Sequence, residues 1–258
     1  MIALKLFYNG EGFHGSQVQP EVRTVAGELE RALASLGATQ RVRLASRTDR
    51  GVSALEQVAC FEPPSEGFHP GALNDRLPDD IWVWSWADVD ESFRPRHATG
   101  KEYVYVHPAR LDADAALKAA TMLKGEHDFT NLSRHDDRST LRTLDTVDVT
   151  TGDCTVFTFR ASSFLHEMVR RCVTLLARVG GGEAGIDAVA RALDPDATVN
   201  IPPADPRWLY LSRIWYRDEP VWRDFGPGRE AVRRFVRRMA EEARARQGLA
   251  GLVLSRLD

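Results

Sequence analysis

Ser46-Arg47-Thr48-Asp49-Arg50-Gly51-Val52-Ser53-Ala54 sets one carboxylate between two guanidinium groups at a turn that two β-patterned segments enclose. Upstream, Arg41-Val42-Arg43-Leu44-Ala45 alternates basic and apolar residues; downstream, Gln57-Val58-Ala59-Cys60-Phe61 is a mostly apolar β-forming run. The flanks read as strands and Arg47 to Gly51 as their connection. With the chain still extended at Arg47, residues two apart share a face, which aims Arg47 and Asp49 the same way. Two readings fit: ordinary turn chemistry, with the Asp side chain bonding its own backbone and Gly51 supplying a positive φ, or a reactive carboxylate.

Outward from this turn, Ile2, Leu4, Leu6 and Tyr8 share one face of a first strand that Asn9-Gly10 ends. Thr24 caps a helix carrying Val25, Leu29, Leu33 and Leu36, with Gly37 as its stop. Ile81 to Val89 reads as a strand whose Trp82, Trp84 and Trp86 form an apolar face for a helix to cover. Phe93 to Gly100, rich in Pro, Arg and Gly, is a seam. Beyond it Tyr103, Tyr105 and His107 line one face of a strand, and Asp112 caps a helix to Lys124. Residues 126 to 140 read as a loop, and 141 to 150 and 154 to 161 as strands. Ser162 or Ser163 caps a helix with the stripe Leu165, Met168, Val169, Cys172, Leu175, Leu176 and Val179, ended by Gly180-Gly181-Gly182. A short helix near 186 to 193, a Pro-rich linker and a strand near 208 to 215 follow. This mixed order predicts an α+β fold, with helices on one face of a largely antiparallel sheet. The Arg-rich helical tail, 227 to 258, has Val232, Phe235, Val236 and Met239 among its arginines and is expected to pack on the second half.

At 258 residues, 43% hydrophobic and 28% charged, the chain can bury a sizeable core. A net charge of -3 argues against a uniformly basic surface, but Arg41/Arg43/Arg47/Arg50, Arg94/Arg96/Lys101 and Arg134/Arg138/Arg142 form local basic groups that together suit a groove for nucleic acid. Cys60, Cys154 and Cys172 are odd in number and far apart, so neither a disulfide framework nor a Cys-x-x-Cys metal site is expected. Seven histidines show no metal-binding spacing. No signal-peptide pattern and no apolar run of roughly 18 residues is present, which predicts a cytoplasmic protein without a membrane partner.

Arg47-Thr48-Asp49-x-Gly51-Val52-x-Ala54, followed by Gln57-Val58 and Phe61, resembles the catalytic motif of the tRNA pseudouridine synthase I family. Tyr8-Asn9-Gly10 with Phe13, Gly15, Gln17 and Gln19 is similar to that family's first-strand loop, and Asn74-x-x-Leu77-Pro78-x-Asp80-Ile81 to a later one. Phe93-Arg94-Pro95-Arg96, Tyr103-x-Tyr105, Gly125-Glu126-His127-Asp128-Phe129-Thr130, Arg142-Thr143-Leu144 and Phe164-Leu165-His166-x-Met168-Val169-Arg170 continue the likeness in the family's order, across roughly residues 4 to 215. The resemblance implies an enzyme that isomerises uridine in the anticodon stem-loop of tRNA, with Asp49 as catalytic residue. It implies two similar α+β halves, 1–97 and 98–226, whose sheets meet around a central cleft, followed by the tail. It also implies that Arg170 partners Asp49, that Tyr103 stacks on the target base, and that Arg47, Arg50, Leu165, Arg94 and Arg96 bind substrate. A homodimer, tRNA as partner, no metal and no cofactor complete the expectation. Departures are Ser46, Arg50, Ser53 and Glu56, where Gly, Ala, His and Gly are usual, and Asn9 and Ser16 for Asp and Trp; they bear on which uridines are chosen.

The reaction breaks the bond between ribose C1′ and base N1, turns the base and rejoins it through C5. A single carboxylate suffices, since an aspartate is ionised at neutral pH and flanking guanidinium groups favour that form. Asp49 is assigned the initiating step, by attack on the nucleoside or by proton abstraction from the ribose. On the helical wheel Arg170 and Arg171 both fall outside the apolar stripe, and Arg171 can pair with Glu167. Gly10-x-Gly12-x-x-Gly15 formally matches a dinucleotide fingerprint, but Pro20 intervenes before the helix at Thr24, against a nucleotide cofactor. A silent RNA-binding module is the remaining rival.

Overall fold

The computed structural model describes residues 1–38, 41–134 and 139–254, so Arg138 of the third basic group lies outside the described residues. Its first elements are β1 (Ile2–Tyr8), α1 (Val25–Ser35), β2 (Arg43–Leu44), β3 (Ser53–Phe61), β4 (Ile81–Asp88) and β5 (Gly100–His107). Then come α2 (Ala113–Met122), β6 (Gly125–Asp128), β7 (Leu141–Thr151), β8 (Thr155–Ala161), α3 (Met168–Gly180), α4 (Asp187–Leu193), β9 (Leu209–Trp215), β10 (Arg223–Asp224) and α5 (Gly226–Leu254).

The strands form one sheet in the order β10-β4-β1-β3-β9-β5-β8-β7-β6, with β2 on β3 off this path. Among the described residues the pairings are antiparallel except β3 with β9, which run parallel through Ser53–Tyr210 and Ala54–Leu211. The fold is therefore α+β on a largely antiparallel sheet. The short parallel register joins the strands before the Phe93–Gly100 seam to those after it, and β2 leads into β3 at this junction.

Local chemistry explains the elements. Ile2, Leu4, Leu6 and Tyr8 are buried in one core with Val25, Leu29 and Leu33 of α1. The Thr24 side chain accepts from the Gly27 amide at 3.2 Å, satisfying a donor that α1 leaves free at its start. Past the seam, Tyr103, Tyr105, Phe157 and Phe159 alternate inward and join the same core, under the buried stripe of α3.

Three elements differ from the sequence reading. The helix expected from Ser162 or Ser163 begins at Met168, because Glu167 adopts a left-handed backbone (φ 61°) that helical residues do not share. Leu165 and His166 consequently lie on a loop. Residues 126 to 128, expected within a loop, form β6 with Gly125, against β7; Gly-Glu-His-Asp lacks apolar alternation because it is an edge strand held by backbone pairing. Among the described residues the tail packs on the first half rather than the second. β10 returns to pair with β4, and α5 lays Val232, Phe235 and Met239 over Phe7, Trp82 and Trp84. The Phe235 ring lies 5.1 Å from that of Trp82 and 5.6 Å from that of Phe7, so a helix from the other end of the chain covers Trp82 and Trp84, while Trp86 lies under the Arg223 guanidinium of β10 at 4.5 Å. Among the described residues no helix is long and apolar enough to cross a membrane.

Candidate active site

The Arg47–Gly51 turn connects β2 to β3, and backbone bonds tie it to the loop that follows β1. The Ser16 amide donates to Thr48 O at 3.1 Å, the Thr48 amide to Ser16 Oγ at 2.9 Å, and the Gly51 amide to Phe13 O at 3.2 Å. Gly51 has φ +83°, and a Cβ there would stand 3.0 Å from Pro206 Cγ. A Cβ at Gly10 would fall 2.1 Å from Val52 O. The glycine-rich 10–15 loop thus packs against the turn, and β1 before it pairs antiparallel on both sides. That geometry is not the parallel βαβ unit of a dinucleotide site.

Beneath the turn runs a buried polar network. Gln57, 0% exposed, clamps Ser46 with both ends of its amide: Oε1 accepts from the Ser46 amide at 3.1 Å and Nε2 donates to Ser46 O at 2.8 Å. Tyr8 and Thr48 hydroxyls share a 2.8 Å bond, and burial pushes the Tyr8 phenol up to about 12. Because a half-satisfied buried network costs more than an apolar one, the completeness of this one fixes the turn to a single geometry.

Asp49 projects from that frame into a cleft, its side chain 22% exposed. Arg170 Nη1 lies 3.1 Å from Asp49 Oδ2, and His166 Nε2 lies 3.3 Å from Asp49 Oδ1. Arg170 is itself held by a 2.6 Å bond from Nε to Ala204 O. Arg171, next along α3, turns to Glu167 instead. Arg47 and Arg50, the sequence neighbours expected to flank the carboxylate, are exposed and make no ion pair with it among the described residues. Asp49 instead meets the loop before α3 and the first turn of that helix, through His166 and Arg170. His166 escaped the list of expected site residues although it stands inside the quoted Phe164–Arg170 segment.

Tyr103 is 5% exposed, with its hydroxyl 2.9 Å from Ser46 Oγ and its ring edge-on to Phe164 at 5.1 Å. Burial, with a smaller contribution from Asp49, drives its phenol pKa upward, so it stays protonated at working pH. Lys101, two residues earlier on β5, donates to Ala45 O at 2.9 Å, and burial lowers its ammonium to about 8.

These groups line a cleft of about 1510 Å³ whose wall draws on residues from both sides of the Phe93–Gly100 seam. Its wall carries eight Arg or Lys side chains against four carboxylates, a positive surplus in a chain whose net charge is -3. A cleft so lined focuses a field that attracts polyanions. Arg47, Arg50, Arg96, Arg134 and Leu165 are all on this wall. Arg94 is not: its guanidinium turns back to Glu91 O and Phe93 O. Among the described residues no cluster of His, Cys, Asp or Glu is placed to hold a metal ion.

A family model described as tRNA pseudouridine synthase matches residues 119–217. A tRNA pseudouridine synthase A of Methanocella arvoryzae is 40% identical over 222 residues, covering 83% of this chain and 84% of its own. One of Pyrococcus abyssi is 37% identical over 260 residues, covering 98% and 96%. Among solved structures, a Cbf5-Nop10-Gar1 complex aligns at TM-score 0.39 and 15% identity, over 84% of this chain and 51% of that one.

Proposed function

The chain belongs to the tRNA pseudouridine synthase A family, and from that membership we propose that it isomerises uridine in the anticodon stem-loop of tRNA, with Asp49 initiating cleavage of the glycosidic bond. The observation that carries this reading is the position of Asp49, which among the described residues is the one carboxylate paired with both Arg170 and His166, in a cation-lined cleft. Attack at C1′ and abstraction of a ribose proton both begin from this carboxylate. Arg170 orients it through the contact of Nη1 with Oδ2.

A base inside a stem is out of reach, so the target uridine is extruded into the cleft at a cost of about a few kcal/mol. Phosphate contacts from Arg47, Arg50 and Arg96 offset that cost, and Tyr103 and Leu165 receive the base. Tyr103 acts through its neutral ring and as a hydrogen-bond donor, because burial keeps the phenol from accepting a proton as phenolate. Arg94 has no part in this reading.

The test is to incubate the purified chain with unmodified tRNA and map pseudouridine chemically. Product confined to the anticodon stem-loop is expected; tRNA binding without product leaves a silent RNA-binding module. The same proposal makes the working unit a cytoplasmic homodimer, because a stem-loop can lie across two copies. A monomeric mass by light scattering, with and without tRNA, counts against the dimer.

A further inference from the structure

Lys101 and Tyr103 stand two apart on β5, so their side chains leave the same face of the strand. Lys101 is 9% exposed, lies on the cleft wall, and uses one ammonium donor on Ala45 O. An ammonium has three donors. Its hydrogen-bond partner is the Ala45 carbonyl, and burial is the whole cause of its lowered pKa, with no carboxylate contributing. A buried cation without a counter-charge is costly to hold, and in a cleft it marks a group kept for an incoming charge.

We propose that Lys101 is a catalytic residue that stabilises the uracil anion formed when the glycosidic bond breaks, an inference resting on the pseudouridine synthase reading above. When C1′–N1 breaks, its electron pair stays on the uracil, spread over N1, O2 and O4. Asp49 meanwhile either bonds to C1′ or takes a ribose proton. In both routes the carboxylate loses its negative charge and the base gains one. The charge thus moves away from Arg170 and onto a base held in the cleft whose wall includes Lys101. On rejoining, C5 bonds to C1′, Asp49 is released as carboxylate or returns its proton, and the C5 proton is lost as N1 gains one. A fixed cation in a water-poor site, aimed where charge develops, stabilises the transition state more than the neutral ground state.

The test compares wild type, Lys101→Met and Lys101→Arg under single-turnover conditions. The substrates are unmodified tRNA and the same tRNA with 5-fluorouridine at the target, whose base is a more stable anion. Substrate loss is read by chromatography of nuclease digests. Lys101→Met is expected to slow uridine rearrangement by about 100-fold, with tRNA Kd within about three-fold. On the fluorinated substrate the deficit shrinks to about ten-fold or less, and Lys101→Arg retains most of the rate. Wild-type kcat/KM should fall as pH rises past about 8, where Lys101 sheds its proton, while Lys101→Arg stays active there.

Equal deficits on the two substrates would reduce Lys101 to a prop for Ala45. A loss confined to Kd would make it a phosphate contact. Either result overturns the proposal, as does an undiminished rate. The wild-type profile requires no variant to fold, and a flat rate through about pH 7 to 9 overturns it too. Failure of wild type to make pseudouridine at all would strike the functional reading instead.

Discussion

Replacing Asp49 by Asn is expected to lower the single-turnover rate of pseudouridine formation by at least about 10⁴-fold, while tRNA affinity stays within a few-fold. Asn keeps the size and planarity of Asp, so the turn clamped by Gln57 and Ser16 survives unchanged. What is lost is the anion: a carboxamide neither attacks C1′ nor accepts a ribose proton at neutral pH. Binding should not suffer, because affinity comes from the cations on the cleft wall, and removing one negative charge from it adds to their surplus. The variant also leaves Arg170 without its charge partner, so some loss of thermal stability is expected and should be recorded beside the rate. Pseudouridine formed at wild-type speed by homogeneous Asp49→Asn protein, checked by mass spectrometry for deamidation, would remove Asp49 from the chemistry.

How much of this was legible beforehand depends on how far apart in the chain the interacting groups are. Ile2, Leu4, Leu6 and Tyr8 announce β1 because a strand's period of two is written locally, and Thr24 and Gly37 bracket α1 for similar reasons. The start of α3 was misread because a serine cap is a common local signal, whereas the left-handed backbone at Glu167 is rare for that residue type. That misreading mattered for the site, since it hid the loop that brings His166 to Asp49. The seating of α5 on β4 joins residues some 150 apart; each partner shows an apolar stripe, but nothing local says that they match. Likewise Asp49 is legible as a carboxylate in a turn, whereas its guanidinium partner Arg170, 121 residues away, is pointed to by the family resemblance alone, the local pattern offering Arg47 and Arg50 instead. Arg47 and Arg50 share the turn and line the cleft, yet neither makes an ion pair with Asp49 among the described residues.

Arg170 and Arg171 offer the sharpest contrast within one helix turn. Both lie outside the apolar stripe of α3, both are half-buried, and each makes one ion pair and one bond to a backbone carbonyl. Their partners differ: Arg170 faces Asp49 and Ala204, whereas Arg171 faces Glu167 and Ile201. Arg170→Met is therefore expected to cut the pseudouridine-forming rate by about 10³-fold, and Arg171→Met by no more than a few-fold. Both should lose stability, since each leaves a carbonyl without its donor, at about 1 kcal/mol. Arg170→Lys should recover part of the rate, restoring charge near Asp49 but not both bonds, because a single ammonium cannot reproduce the fork that spans Asp49 Oδ2 and Ala204 O. The rates are compared at saturating tRNA, so that lost phosphate affinity does not pass for lost chemistry. Equal activity in the two Met variants would mean that the contact with Asp49 contributes nothing beyond anchoring α3.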